Sequence, residues 1–446
     1  MPSHAAVPVT IVVWTQAGDS PSATTGAGAG YVALKQRFEQ LHPTIKVNWQ
    51  LYTPSQDPST YQTLLTAIAG GKAPDIAEVD RFLVAEFAEK GVIQPLGPYL
   101  PRNSATLRVA HLVPGAWQEL HGYDGKLYGI TNFYGAVGFW SLYYNKALFK
   151  VAGIKNPPQT WAELNADAKL LTKSAGPRIV QLGYDPYPDP VGELENLVYA
   201  GNHHLVSANG KKAELNAPPI VASLQEFVNV IDAEGGWDKV SRVASTVTTP
   251  AAQDPWFTGR AGMTDGGDWY LQTIAANNPK LSFGVVPLPT QSNAQRAAWA
   301  GGWSVQLVQG AAHPKEAAQF LEYLSSKEAA QTFVAAYSAY DKAHRIPNVI
   351  VGGLDFAYPS LIKEYSTELK ATYPDLYSGV LAFVNAQTSG QYEKTFARDR
   401  NAVPGELYRA VANATGNALF HRMSAKQALT QQNATLQHAI DTFYKK

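Results

Sequence analysis

"APDIAEVDRFLVAEFAEKG", residues Ala73–Gly91, decides how this chain is built. Asp75–Val79 reads as a strand, and it runs straight into a helical pattern from about Arg81 to Lys90 that Gly91 stops. Working back towards the start, Tyr61, Leu64, Leu65 and Ile68 share one helix face, closed by Gly70 and Gly71. Before them "IKVNWQL" alternates, with Ile45, Val47, Trp49 and Leu51 on one side of a strand. Leu34, Phe38 and Leu41 recur at helical spacing, and Val9–Trp14 is almost continuously apolar, as expected of a strand covered on both faces. Strand then helix, three times over, predicts a doubly wound, mostly parallel α/β sheet. Such sheets bind ligands outside the carboxyl ends of their strands. Trp14, Thr15 and Gln16 end the first strand, and Asp80 and Arg81 end the third. Asp80 also stands where an N-cap is needed, and one carboxylate can do both jobs.

The chain has 446 residues, enough for two or three domains, and 45% of them are hydrophobic. Lysine plus arginine and aspartate plus glutamate number 36 each, a balance that argues against nucleic acid as a partner. There is no cysteine, hence no disulfide, thiolate metal site or cysteine nucleophile. No apolar run reaches the roughly 20 residues that span a bilayer. The opening "MPSHAAVPVTIVVW" lacks the basic and long apolar regions of a secretory signal.

From about Tyr128 the pattern changes, with an aromatic-rich stretch, "FWSLYYNKALF" (Phe139–Phe149). In "NPPQTWAEL" the prolines end one segment, Thr160 is placed to cap a helix and Glu163 to complete a capping box. "LSFGVVPLPT" (Leu281–Thr290) reads as a strand, and "HPKEAAQFLEYL" opens a helix with proline in its first turn. The motifs of enzymes are weak. "GAGAG" (Gly26–Gly30) lacks the lysine and spacing of a phosphate loop and reads as a flexible loop. His203 and His204 have no third ligand at metal spacing, so they read as loop histidines and no metal is expected. Asp265–Asp268, "DGGD", is too short for a calcium loop, and no G-x-S-x-G is present.

What recurs is aromatic residues beside carboxylates or glycines: Trp14, Asp80-Arg81, Trp140, Asp185-Pro186-Tyr187, Asp268-Trp269 and Gly301-Gly302-Trp303. A sugar offers an apolar C–H face to an aromatic plane and a fringe of hydroxyls to carboxylates and guanidinium. That chemistry predicts a carbohydrate cleft.

Several stretches in order resemble the extracellular solute-binding proteins of ATP-driven importers, the maltodextrin-binding type in particular. They are "YVALKQRFEQLHPTIKVNW", "AGGKAPDIAEVD", "DGKLYGI", "LYYNKALFKVAGIKNPPQTWAEL", "FTGRAGMTDGGDW", "FGVVPLP" and "HPKEAAQFLEYLSSKEAAQTF". The resemblance runs from about Val9 to the C-terminal helix. It implies a two-lobed periplasmic-binding-protein fold of mostly parallel sheets with flanking helices and three crossovers, near Ala136, Gly301–Ser304 and Val349–Gly352. The lobes are then 1–135 with 305–350, and 136–304 with 351–446. A di- or oligosaccharide would sit in the interlobe cleft, the lobes closing by hinge motion before delivery to a membrane permease of the ABC transporter. The protein would be a monomer without catalytic activity or cofactor. It would work outside the cytoplasm, in the periplasm or as a cell-surface lipoprotein, with its signal peptide missing from this chain.

Residue by residue, the family's motifs and the strand-end reading name Trp14, Gln16, Asp80, Arg81, Trp140, Asp185, Tyr187, Asp268, Trp269 and Trp303 as ligand-binding. Asp80-Arg81-Phe82 matches the family's Asp-Arg-Phe, Asp185-Pro186-Tyr187 resembles its acidic-Pro-Tyr element, and Trp269 falls on its stacking tryptophan. Departures are Gly138 where the maltodextrin binders carry glutamate, a gap around Gln16–Asp19, and the divergent segment Tyr373–Pro404. That segment holds Arg398 and Arg400 as candidates to face the ligand. The alternative is a binder of glycerol-3-phosphate or a glycerophosphodiester, which needs cationic or N–H donors at the site. A glycoside hydrolase would need two acids roughly 5–9.5 Å apart, whereas Asp80 and Asp185 fall in different lobes.

Overall fold

A computed structural model describes residues 8–54, 58–104, 116–131, 140–246, 249–292, 297–299, 301–350, 358–386, 394–396, 398–399 and 401–445. In chain order its strands are β1 (Val9–Thr15), β2 (Ile45–Leu51), β3 (Ile76–Asp80), β4 (Ile93–Gln94), β5 (Gly129–Thr131), β6 (Ser141–Asn145) and β7 (Lys173–Ala175). They continue with β8 (Arg178–Asp185), β9 (Ala261–Gly266), β10 (Phe283–Pro287), β11 (Ala297–Trp299), β12 (Trp303–Val308) and β13 (Lys394–Phe396). The chain divides into two compact units, Met1–Val137 with Gly301–Tyr365, and Gly138–Ala300 with Ser366–Lys446.

The sheet of the first unit runs β2-β1-β3-β12-β4, with β5 also paired to β12. β1, β2 and β3 are parallel, as the alternation of strand and helix predicts, and β12 enters antiparallel to β3. That pairing sets Trp303 opposite Asp80 and Ser304 opposite Val79. Residues 301–304 therefore belong to the first unit, where the sequence reading assigned them to the other lobe. Asn348 reaches the carbonyl of Tyr365 (3.5 Å), in keeping with 358–365 lying in the first unit as well. The expected crossover at Ala136 lies outside the described residues, as do 351–352 of the third.

Helix α1 (Gly26–Leu41) overturns the loop reading of "GAGAG": Thr25 caps it by accepting from the Gly28 N–H at 3.0 Å, and the glycines form its first turns. Gly26 and Gly30 are small because the helix Lys327–His344 lies against them, and Gly28 because Ser22 does. A Cβ at Gly30 would stand 2.5 Å from the Phe333 ring, and one at Gly26 2.6 Å from an Asp341 oxygen. Tyr31, Leu34 and Phe38 bury the core-facing stripe, with Phe38 edge-on to Phe320 at 4.8 Å. Helix α2 (Gln62–Ala69) and the short helix Val84–Glu89 pack Leu64, Val84 and Phe87 with Ala77 and Val79 of β3 in one apolar cluster. β1 is less enclosed than its apolar run suggests: Ile11, Val13 and Thr15 are buried, while Val12 and Trp14 on the other face are only half-buried.

The sheet of the second unit runs β10-β6-β9-β8-β7. β8 and β9 are parallel, and β6 is antiparallel to both β9 and β10. Trp256, Tyr143, Phe227 and Phe283 are among its largest fully buried side chains. The expected capping box is present on the helix Trp161–Leu171, Thr160 accepting from the Glu163 N–H and Glu163 from that of Thr160. β11 and β13 form a separate parallel pair.

Candidate functional site

In the first unit the chain leaves β1 and β3 through a tightly bonded polar corner. Gln16 donates its backbone N–H to Glu78 (2.9 Å) and its amide to Asp19 (2.8 Å), and Asp19 also accepts from the Tyr31 hydroxyl at 3.0 Å. Burial raises the Asp19 pKa, against the lowering effect of those bonds. Asp80 is buried and accepts from the Phe82 N–H at 2.9 Å, capping the single turn Arg81–Leu83. Its own N–H donates to the Tyr61 hydroxyl (2.9 Å).

Arg81 is 1% exposed. Its Nε donates to Glu119 at 2.9 Å, its terminal nitrogen donates to the Gly301 carbonyl, and its backbone N–H donates to Gly302 (3.1 Å). The guanidinium is thus a staple joining the end of β3 to the chain that enters β12. The Asp-Arg-Phe resemblance named Arg81 as a solute contact, and here its side chain is buried in this staple. Glu119 was invisible to sequence reasoning, because nothing local marks the partner of an arginine 38 residues earlier. Trp303 is half-buried beside this staple.

The second unit gathers three of the expected aromatics. Trp140 stands edge-on to Tyr187 (centroids 4.4 Å, 84°) and to Trp269 (5.1 Å, 84°). Trp140 itself is 6% exposed, whereas Tyr187 and Trp269 are half-buried and keep surface open. Trp140 is therefore a buried wedge against the other two rings. Glycines seat both rings. A Cβ at Gly267 would lie 1.8 Å from the Trp269 ring, and one at Gly192 3.1 Å from the Tyr187 ring. Tyr143 donates to the Gly267 carbonyl at 2.7 Å, fixing the turn from beneath. Asp268 is buried and caps the helix Trp269–Asn277 by accepting from the Trp269 N–H at 2.9 Å. This answers why "DGGDW" is spelled as it is: the second glycine leaves room for an indole and the aspartate starts its helix.

Asp185 lies 1% exposed at the end of β8. Its oxygens accept from the Ser245 N–H (2.9 Å) and face the Ser245 hydroxyl (2.7 Å). That hydroxyl is also 2.7 Å from Asp254. The Ser245 hydroxyl thus lies between two acidic side chains. Burial pushes the Asp185 carboxyl up to about 7. Asp185 thus ties down the loop at Ser245, and half-buried Tyr187 is the member of its motif that keeps open surface. Glu193 holds that tyrosine, accepting from its backbone N–H at 3.0 Å and from the Tyr184 hydroxyl at 2.6 Å. Asn196 donates to Asp265 at 2.6 Å, and burial lifts Asp265 to about 6.

The divergent segment is fixed by Asp399, which accepts from the Leu205 N–H and meets His204 Nδ1 at 2.6 Å. His204 is therefore half of a pair that sequence reading missed. Arg398 beside it is 3% exposed, close enough to Tyr199 to act on its hydroxyl, and Arg400 lies outside the described residues, as does Gly138. Among the described residues no group of histidines and carboxylates could hold a metal ion, and no helix is long and apolar enough to cross a membrane.

The sn-glycerol-3-phosphate-binding periplasmic protein UgpB of Yersinia pestis is 27% identical over 316 residues, covering 67% of this chain and 67% of its own. The solved structure "CpMnBP1 with Mannotriose Bound" superposes with a TM-score of 0.72 at 23% identity, over 96% of this chain and 100% of that one. An ABC substrate-binding protein of Listeria monocytogenes in complex with cycloalternan gives 0.72 at 19% identity, over 97% and 99%. The family model "Bacterial extracellular solute-binding protein" matches residues 22–331, well over half of the sequence. The two-unit α/β fold, the ordered motifs and this match agree: the chain belongs to the bacterial extracellular solute-binding protein family.

Proposed function

We propose that this protein is a non-catalytic, monomeric carrier that binds a di- or oligosaccharide outside the cytoplasm and hands it to the membrane permease of an ABC importer. The observation that carries the reading is the glycine-seated pair Tyr187 and Trp269, held edge-on by Trp140. Rigid aromatic faces that keep open surface suit the C–H face of a pyranose. Two structural neighbours, solved with mannotriose and with cycloalternan, support the same ligand class.

A glycerol-3-phosphate carrier is the second reading, favoured by the Yersinia relative. It needs an available cation, and Arg81 is already engaged by Glu119 and Gly301. A hydrolase finds little support, since Asp80 caps a turn and Asp185 is held by Ser245. Calorimetry with mannose- and glucose-based di- and trisaccharides, glycerol-3-phosphate and its diesters tests the proposal. Tight binding of a phosphate compound with no heat from any sugar overturns the ligand class, and release of reducing ends overturns the non-catalytic reading.

A further inference from the structure

On the first unit's sheet, helix cover stops short. α2 buries Ala77 and Val79 of β3, but the same face of β1 and β2 stays open. There Trp14 lies directly across from Gln50, Val12 from Asn48 and Thr10 from Lys46. Thr10, Lys46, Asn48 and Gln50 are exposed, while Val12 and Trp14 are half-buried. The Trp14 indole is fixed, its Nε1 donating to Gln50 at 3.0 Å and its ring tilted on Tyr52 with centroids 5.8 Å apart. Between this indole and α2 runs an open groove of about 670 Å³, lined by Trp14, Gln62, Thr63, Thr66, Ala67, Gly70 and Lys72.

The chemistry of the lining is specific. It offers an aromatic plane, two threonine hydroxyls, an amide and the ammonium of Lys72, and, among the described residues, no carboxylate. A second ammonium, Lys46, stands on the adjoining shelf in a long 3.6 Å pair with Glu39. The volume lies within the range of small-ligand sites. An indole takes the C–H face of a sugar ring, hydroxyls and amide take its hydroxyls, and a lysine at the mouth takes a negative charge. We propose that this groove is a second carbohydrate site, distinct from the aromatic group of the second unit, and that it takes short oligosaccharides bearing carboxylates, such as oligouronides. Trp14 is then a ligand-binding residue, as its sequence position implied, but of a groove walled by α2.

The test is protein-observed NMR of the ¹⁵N-labelled full chain titrated with trigalacturonic acid and, separately, with maltotriose. Trp14→Phe identifies the Trp14 indole signal among the ten tryptophans. The expected result is a saturable shift of that signal with trigalacturonic acid. The shift should persist in Trp269→Ala, disappear in Thr66→Arg, which fills the groove from an exposed position, and need about tenfold more ligand in Lys72→Glu. A Trp14 signal that does not move overturns the site. So does a shift lost in Trp269→Ala, which would trace the response to the other aromatics. Equal responses to maltotriose, unaffected by Lys72→Glu, overturn the acidic class. Because Trp14 is read separately from Trp269, failure here leaves the sugar-carrier reading standing, and the reverse also holds.

Discussion

Gly267→Ala is expected to weaken sugar binding while leaving the fold in place. A methyl at this position would start 1.8 Å from one carbon of the Trp269 ring and 2.4 Å from two others. Carbon atoms rest roughly 3.5–4.0 Å apart, so the indole must retreat by about 2 Å. Retreat gives up its edge-on contact with Trp140 at 5.1 Å, an arrangement worth about 0.5–1.5 kcal/mol, and it tilts the face offered to a sugar. The Trp140 contact is lost in free and bound protein alike and lowers stability, whereas a lost stacking contact with the sugar of similar size weakens binding by about 0.5–1.5 kcal/mol, or roughly two- to tenfold in Kd. The backbone at Gly267 is not in the left-handed region, so alanine is tolerated there, and its smaller unfolded-state entropy offsets part of the ring displacement. Three measurements decide the matter: calorimetric Kd for the best sugar, near-ultraviolet circular dichroism for the indole environment, and the melting temperature. In a Trp269→Ala background the same substitution should cost no further affinity, since the ring it displaces is gone. Unchanged Kd and unchanged near-ultraviolet signal in the single variant, or full additivity in the double one, would refute the reasoning.

Trp269→Ala itself should weaken the best sugar by at least tenfold, about 1.4 kcal/mol, with a melting temperature close to that of the parent because the ring is only half-buried; an unchanged Kd removes it from the site. Asp80→Ala should lower stability by about 0.5–2 kcal/mol through loss of the cap on Phe82, seen as a fall in denaturant midpoint; a large loss of affinity at unchanged stability would instead make Asp80 a solute contact. Glu119→Ala leaves the buried Arg81 guanidinium without its carboxylate and should cost about 3–5 kcal/mol, read by urea unfolding; a loss under 1 kcal/mol would mean the staple contributes little. Asp185 (about 7) and Glu234 (about 8) are raised by burial in the second unit, so the folded form binds protons that the unfolded form has released. Stability from these groups is full below about pH 4 and declines as pH rises towards 7–8. The melting temperature should therefore rise on going from pH 8 to pH 5, less so in Asp185→Asn, and a profile unaltered by that substitution would show that Asp185 is not raised.

The sequence by itself determined the alternation of strand and helix over the first hundred residues. Apolar periodicity, capping residues such as Thr160 with Glu163, and stops at Gly70 and Gly91 act within a few residues, so they can be read along the chain. That periodicity carried the parallel pairing of β1 with β2 and β3, and the ordered motifs carried the family, but the expected mostly parallel sheets are mixed, because β12 and β6 enter antiparallel to their neighbours. It also named Tyr187 and Trp269. Local chemistry misread "GAGAG", because the reason for small residues there is Phe333 and Tyr337, some 300 residues further on. Tertiary structure alone decided which polar residues face inward. Arg81 found Glu119, Asp185 found Ser245, and Asp399 found His204, and each pair ties together stretches of chain far apart in sequence. Trp140 became a wedge and Trp14 the wall of a groove for the same reason. Whether a side chain keeps surface for a ligand depends on what packs beside it from distant parts of the chain, and a buried charge or dipole must be satisfied wherever its partner happens to lie.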